Sequence, residues 1–82
     1  MKIRKNIALS DSGFLFNPST GDSYSINPIG QEIIKHIQKG MTEEEVADII
    51  VKEYMIDHDS VEKDLYDFKQ MLNSYKLIED EG

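Results

Sequence analysis

The chain has 82 residues, 30% of them charged and 39% hydrophobic, with sixteen acids against nine bases for a formal charge of -7 and a pI near 4.6. That length suits one small domain, 1–82, with a thin core, because a domain of this size buries only about 60% of the surface its unfolded chain exposes. The lack of cysteine excludes disulfide staples, thiolate zinc sites and a cysteine nucleophile; no apolar run approaches the ~18 residues of a membrane span and no signal peptide is evident, so a cytoplasmic protein without a membrane partner is expected.

Strand and turn signals fill about residues 3–26. Ile3 to Leu9 mixes β-branched and charged residues, and Ser10-Asp11-Ser12-Gly13 follows as a turn cluster. Gly13-Phe14-Leu15-Phe16 is a short apolar run that predicts a strand buried on both sides or a hairpin centre. Asn17-Pro18-Ser19-Thr20-Gly21-Asp22 is the strongest loop signal in the chain, since proline presets φ and glycine permits positive φ. Ser23-Tyr24-Ser25-Ile26 alternates polar and apolar residues, the pattern of a strand with one wet face. Two turns joining three short strands predict an antiparallel meander.

Helical signals occupy about residues 28–75. Asn27-Pro28 pairs a good N-cap with proline at the first helical position. Ile29, Ile33 and Ile37 recur every four residues, with Ile34 widening the stripe and Gly40 as the stop. Thr42-Glu43-Glu44-Glu45 spells a capping box, and Val46, Ala47, Ile50, Val51 and Tyr54 predict the buried face of the second helix. Either Asp59 with Glu62 or Asp57 with Ser60 opens the third. Its stripe is Val61, Leu65, Phe68 and Leu72, the last three all within about 40° of Val61 on a helical projection, while Met71 and Tyr75 widen it on the side where Asp64 lies. Leu77 and Ile78 follow, then an acidic tail, 79–82. Strands followed by helices predict an α+β domain with the helices over one face of the sheet.

The residue chemistry argues against catalysis and metal binding. His36 and His58, the only histidines, lack a ligand or nucleophile partner at a diagnostic spacing, and no phosphate loop or zinc-protease motif occurs. Helix capping accounts for Glu43 to Glu45 and for Asp57 and Asp59 without a cation. Neither a cofactor nor enzyme activity is expected. Up to Asn27, three bases face two acids; from Pro28 onward, six bases face fourteen acids. That imbalance disfavours nucleic acid as a partner. A different surface is left open. The last strand of a meander keeps unpaired N–H and C=O groups on one side, and Ser23 to Ile26 carries no Pro, Lys or Glu to blunt that edge. A peptide could add there as a further strand, beside an apolar helix-three stripe that serves either as core or as groove wall.

The order of these features resembles the PqqD family. Gly21-Asp22-Ser23-Tyr24-Ser25-Ile26-Asn27-Pro28-Ile29-Gly30-Gln31-Glu32-Ile33 is similar to its G-x-x-Y-x-L-N-x-x-G-x-x-I/W core, Gly40-Met41-Thr42-Glu43-Glu44-Glu45-Val46-Ala47 to its G-x-T-x-E-E-I-A, and Asp64, Phe68, Leu72 and Leu77-Ile78 to its D-x-x-x-F-x-x-x-L-x-x-x-G-L-I/L tail. The resemblance covers roughly 7–78. It implies a winged-helix-like RiPP recognition element, a non-catalytic domain that binds the leader of a ribosomally made precursor peptide by strand addition and presents it to a modifying enzyme, commonly a radical SAM protein. It also implies peptide contacts at Asp22, Ser23, Tyr24, Ser25 and Ile26 on the strand and at Asp64, Phe68, Met71 and Tyr75 on the helix. Lys76 stands where the family often has Gly, so a different end to the third helix is expected.

A leader of about 8 to 12 residues bears an ordering cost on binding, which predicts high-nanomolar to micromolar affinity. Two other functions stay open. One is a winged-helix DNA-binding regulator, which needs a basic recognition helix where 43–54 offers only Lys52; the other is a scaffold that pairs two sheet edges in a homodimer.

Overall fold

Asn27 lies in extended backbone and its Oδ1 accepts the Gly30 N–H at 2.7 Å, with Pro28 next in line; an Asn cap followed by proline starts a helix at this point. The computed structural model describes residues 1–79, and in it this helix, α1, spans Pro28–Gln38. The capping box forms in full, the Glu45 N–H donating to Thr42 Oγ1 at 3.1 Å and the Thr42 N–H to Glu45 Oε1 at 3.0 Å, and it opens α2, Glu43–Tyr54. Of the two starts open to the third helix, the Asp57–Ser60 one forms: the Asp57 carboxylate accepts the Ser60 N–H at 3.0 Å and its hydroxyl at 2.8 Å, at the head of α3, His58–Ser74. Those bonds hold the Asp57 carboxyl below its ordinary value.

Three short antiparallel strands precede the helices: β1 (Ala8–Leu9), β2 (Phe14–Asn17) and β3 (Asp22–Ser25), side by side in that order. The β2–β3 loop is shaped by Asn17, which is buried; its Oδ1 accepts the Ser19 N–H at 3.0 Å and its carbonyl accepts the Gly21 N–H at 2.8 Å. Strand alternation then sorts the side chains. Leu15, fully buried, faces the helices between its partners Leu9 and Tyr24. The α+β architecture, a three-stranded meander with three helices over one face, is as expected from the sequence.

Three local expectations are corrected. The segment Ile3 to Leu9 does not run as one strand: only Ala8 and Leu9 pair with β2, while Ile3 bridges Ile78 and the Arg4 N–H donates to the Leu77 carbonyl at 3.0 Å. The strand-forming residues at the start of the chain are spent on its end, and a turn in which the Ile7 N–H donates to the Arg4 carbonyl at 3.1 Å separates the two pairings. Of the two readings of Gly13 to Phe16, the hairpin centre is the one that forms, β2 lying between β1 and β3; Phe14 and Phe16 are not buried on both sides but are 47% and 42% exposed, because the helices cover the Leu15 face alone. Tyr54, expected on the buried face of α2, is exposed and Val51 half-buried; the last turn of α2 runs past the core towards Met55, which is left-handed and solvent-facing. Of the acidic tail, Glu79 is held, its N–H donating to the Lys2 carbonyl at 2.7 Å; Asp80, Glu81 and Gly82 lie outside the described residues.

The core is one cluster. Leu15 from the sheet, Ile34 from α1, Val46 and Ile50 from α2, Leu72 from α3 and Leu77 just beyond it are its largest fully buried members. Lys76 explains how α3 can end without the family's glycine: it adopts the left-handed conformation itself, at φ 60°, so that its N–H donates to the Asn73 carbonyl and the Leu77 N–H to the Leu72 carbonyl, both at 3.0 Å. A side chain in that conformation carries a steric cost of about 1 kcal/mol that glycine avoids.

Two outcomes follow for chemical denaturation. Leu15→Ala should destabilise the fold by about 2–5 kcal/mol, while Phe14→Ser should cost less than about 1 kcal/mol. Lys76→Gly should raise stability by up to about 1 kcal/mol and leave the helical circular dichroism unchanged.

Candidate functional site

The outer side of β3 carries the unsatisfied backbone chemistry of the sheet. The Ile26 N–H donates to the Gly13 carbonyl at 2.8 Å, which makes Gly13 and Ile26 a hydrogen-bonded pair. Antiparallel alternation then places the next such pairs at Leu15–Tyr24 and Asn17–Asp22, within the observed register. Ser23 and Ser25 fall between them, so their N–H and C=O groups point away from β2. Among the described residues, no backbone bond reaches those groups from outside the sheet. The edge is therefore free, two outward-facing residues long, with small exposed serine side chains.

Beside it, α3 and the start of α1 form a shallow groove of about 390 Å³ lined by Asn27, Gly30, Ile33, Asp64, Asp67, Phe68 and Met71. It begins at Asn27, two residues beyond the end of β3. Phe68 and Met71 are half-buried, packed against the core, whereas Asp64 and Asp67 are exposed. Gly30 is packed closely under this groove: a Cβ there would lie 2.6 Å from Ile26 Cγ2 and 3.1 Å from Phe68 Cε1. The close approach that glycine permits is thus to the side chains of Ile26 and Phe68. The Tyr24 ring of β3 stacks on the Tyr75 ring at the end of α3, centroids 4.3 Å apart and planes 15° from parallel. Partial burial pushes the Tyr24 phenol above its ordinary value, and the Asp22 carboxylate adds to this by its charge and as acceptor of the phenol hydrogen bond.

Of the nine residues singled out in the sequence, Ser23 and Ser25 present the free edge, Tyr24 and Tyr75 form the stack, and Asp64, Phe68 and Met71 line the groove. Asp22 is turned to Tyr24. Ile26 is different: it is buried, its N–H is taken by Gly13, and its carbonyl accepts the Gln31 side-chain amide at 3.1 Å. It therefore supports the floor under the site. Sequence reasoning misses Asn27, Gly30, Ile33 and Asp67 as groove residues. Asp67 carries a usable signal in its spacing, three residues after Asp64 and four before Met71 on the same helical face; Asn27 reads in the sequence only as a cap.

Two other polar clusters stand apart from this site. His58, Asp59 and Glu62 come close enough together to hold a cation, yet all three are exposed. His58 already lies 3.2 Å from Glu62 and 3.6 Å from Asp48, so these side-chain contacts account for the cluster without a cation. On the other side of α1, Glu32 and His36 each bury one atom without a hydrogen-bond partner. Glu53 of α2 shares a hydrogen bond with Glu32 that, with some burial, holds its carboxyl above the ordinary value of 4.5, His36 opposing. A carboxyl whose pKa is raised by folding keeps its proton longer in the folded state, so stability declines as pH rises through that raised pKa. Denaturation from about pH 4 to pH 7 should show this decline in the wild type and a flatter profile in Glu53→Gln.

No helix among the described residues is long and apolar enough to cross a membrane. The first turn of α2 is acidic and its only base is Lys52, unlike a helix that reads DNA.

The family profile described as Coenzyme PQQ synthesis protein D (PqqD) matches residues 13–78. No curated protein matches the chain. Among solved structures, TbiB1 in complex with the TbiA(beta) leader peptide is 32% identical, covers 100% of this chain and 99% of its own, and superposes with a TM-score of 0.88. A lasso peptide synthetase B1 complexed with its leader peptide has the same fold at 21% identity, with 96% of each chain covered and a TM-score of 0.84. The chain belongs to the PqqD family.

Proposed function

We propose that this PqqD-family chain acts as a single peptide-binding domain, a RiPP recognition element that takes the leader of a precursor peptide onto the free edge of β3. The carrying observation is the pair of outward-facing, unpartnered backbones at Ser23 and Ser25 beside an apolar-floored groove. Full-length similarity to a protein solved with a leader peptide supports the reading. A guest strand gains its affinity from main-chain bonds to the two serines and its selectivity from side chains that reach Phe68, Met71 and the Tyr24–Tyr75 stack. Asp22 and Ile26 act indirectly, the first by holding the Tyr24 hydroxyl and the second by anchoring the end of β3.

The domain then has no catalytic step of its own. It supplies a modifying enzyme with an ordered substrate, a radical SAM protein being one class of such enzyme, and raises the effective concentration of the modifiable segment near that enzyme. With about 8 to 12 residues ordered on binding, affinity falls in the high-nanomolar to micromolar range.

The test begins with selection of ligands from an unbiased display library of peptides about twelve residues long, followed by NMR titration of the best binder into labelled protein. Shifts should concentrate at 22–26 and 64–75. Binding confined to another patch, or edge-to-edge dimerisation with no peptide selected, would sink the reading. Ser25→Pro removes one outward N–H while sparing the β2 ladder. It should weaken the selected peptide at least about tenfold, the equivalent of about 1.4 kcal/mol, with the dispersion of the core resonances retained.

A further inference from the structure

We infer that the α1–α3 groove selects a basic side chain in the bound peptide, arginine before lysine, at the position just past the residues that pair with Ser23 and Ser25. The inference rests on the strand-addition reading above and names the chemistry the guest must carry.

The groove combines two features rarely useful to the protein alone. Its floor is apolar, from Phe68 and Met71, and its walls carry Asp64 and Asp67 on the same face of α3. Neither carboxylate has an ion-pair partner among the described residues. The bases on α3 do not neutralise them: Lys69 is paired with Glu43 at 3.6 Å, and Lys63, one turn before Asp67, makes no ion pair with it. Asp22, the nearest acid on β3, is engaged by the Tyr24 hydroxyl. Asp64 and Asp67 are therefore the acids left unmatched along the path of a guest strand.

A long basic side chain fits this combination in both its parts. Its methylene stem lies on Met71 and Phe68 while its head reaches the carboxylates. A guanidinium adds a planar face that can stack on the Phe68 ring and enough donors to meet two carboxylates at once, which an ammonium lacks. Position follows from the fold, since the groove begins at Asn27 and a guest leaving the edge beyond Ser25 passes directly over it. The surrounding helical half of the chain is strongly acidic, so the wider field also draws a cation inward.

Ligand selection from the same library, run in parallel on wild type and on the double variant Asp64→Asn, Asp67→Asn, decides the matter. Both positions are exposed, so the variant should keep the wild-type NMR fingerprint away from the groove. The wild-type pool should show arginine or lysine at one fixed distance from a shared β-forming segment; the variant pool should keep that segment and lose the basic preference. Replacing the selected arginine by alanine should weaken binding to wild type by about tenfold and leave binding to the variant nearly unchanged. Added salt should weaken the wild-type complex more than the variant complex. A wild-type pool with a shared segment and no basic position overturns this inference and leaves strand addition intact. A pool with no enriched sequence overturns strand addition itself, and the inference with it.

Discussion

Backbone hydrogen-bonding groups that the fold leaves without partners are the feature on which the rest of this protein turns. A closed sheet would have no such row, and most open ones blunt it with lysine, proline or a bulge. Here the meander stops at β3, and the two residues whose backbones face outward are serines. Their small side chains neither cover the edge nor obstruct a second chain. The opposite edge, β1, is only two residues long, so the sheet offers one usable border.

The remaining architecture holds that border still. Asn27 caps α1 two residues after β3 ends, and the Ile26 amide is bonded to Gly13, so β3 is fixed at its end by local bonds on both sides. Tyr24 pairs with the fully buried Leu15 across the sheet and stacks on Tyr75 from the end of α3. A displacement of β3 would break a cap, a ladder bond and an aromatic contact together. This is how a chain with a thin core keeps a binding edge in register: the edge shares its anchors with the fold.

The start and end of the chain are joined for the same reason. Ile3 and Ile78 bridge, Arg4 Nε donates to the Lys76 carbonyl at 2.8 Å, and Lys2 pairs with Glu79 at 3.4 Å. These contacts lock the residues after α3, and with them the left-handed Lys76 that follows Tyr75. The Tyr24–Tyr75 stack thus depends on residues at the start of the chain, far from both tyrosines in sequence.

Signals that act over three or four residues are legible in the amino-acid sequence. The Asn27, Thr42 and Asp57 caps, the Asn17 loop and the apolar stripes determine the helices, the hairpin and their order, because each depends on a hydrogen bond or a repeat within one turn. The candidate edge is legible too, since the last strand of a meander lacks a partner on one side. Tertiary structure alone decided which face of β2 the helices cover, and so left Phe14 and Phe16 in solvent. It also took Ile3 away from the sheet to meet Ile78, set Tyr75 on Tyr24, and brought Asp67 into one groove with Asn27. In each case the outcome is a contact between residues remote along the chain, and pattern within a short window carries no information about which remote surfaces will meet.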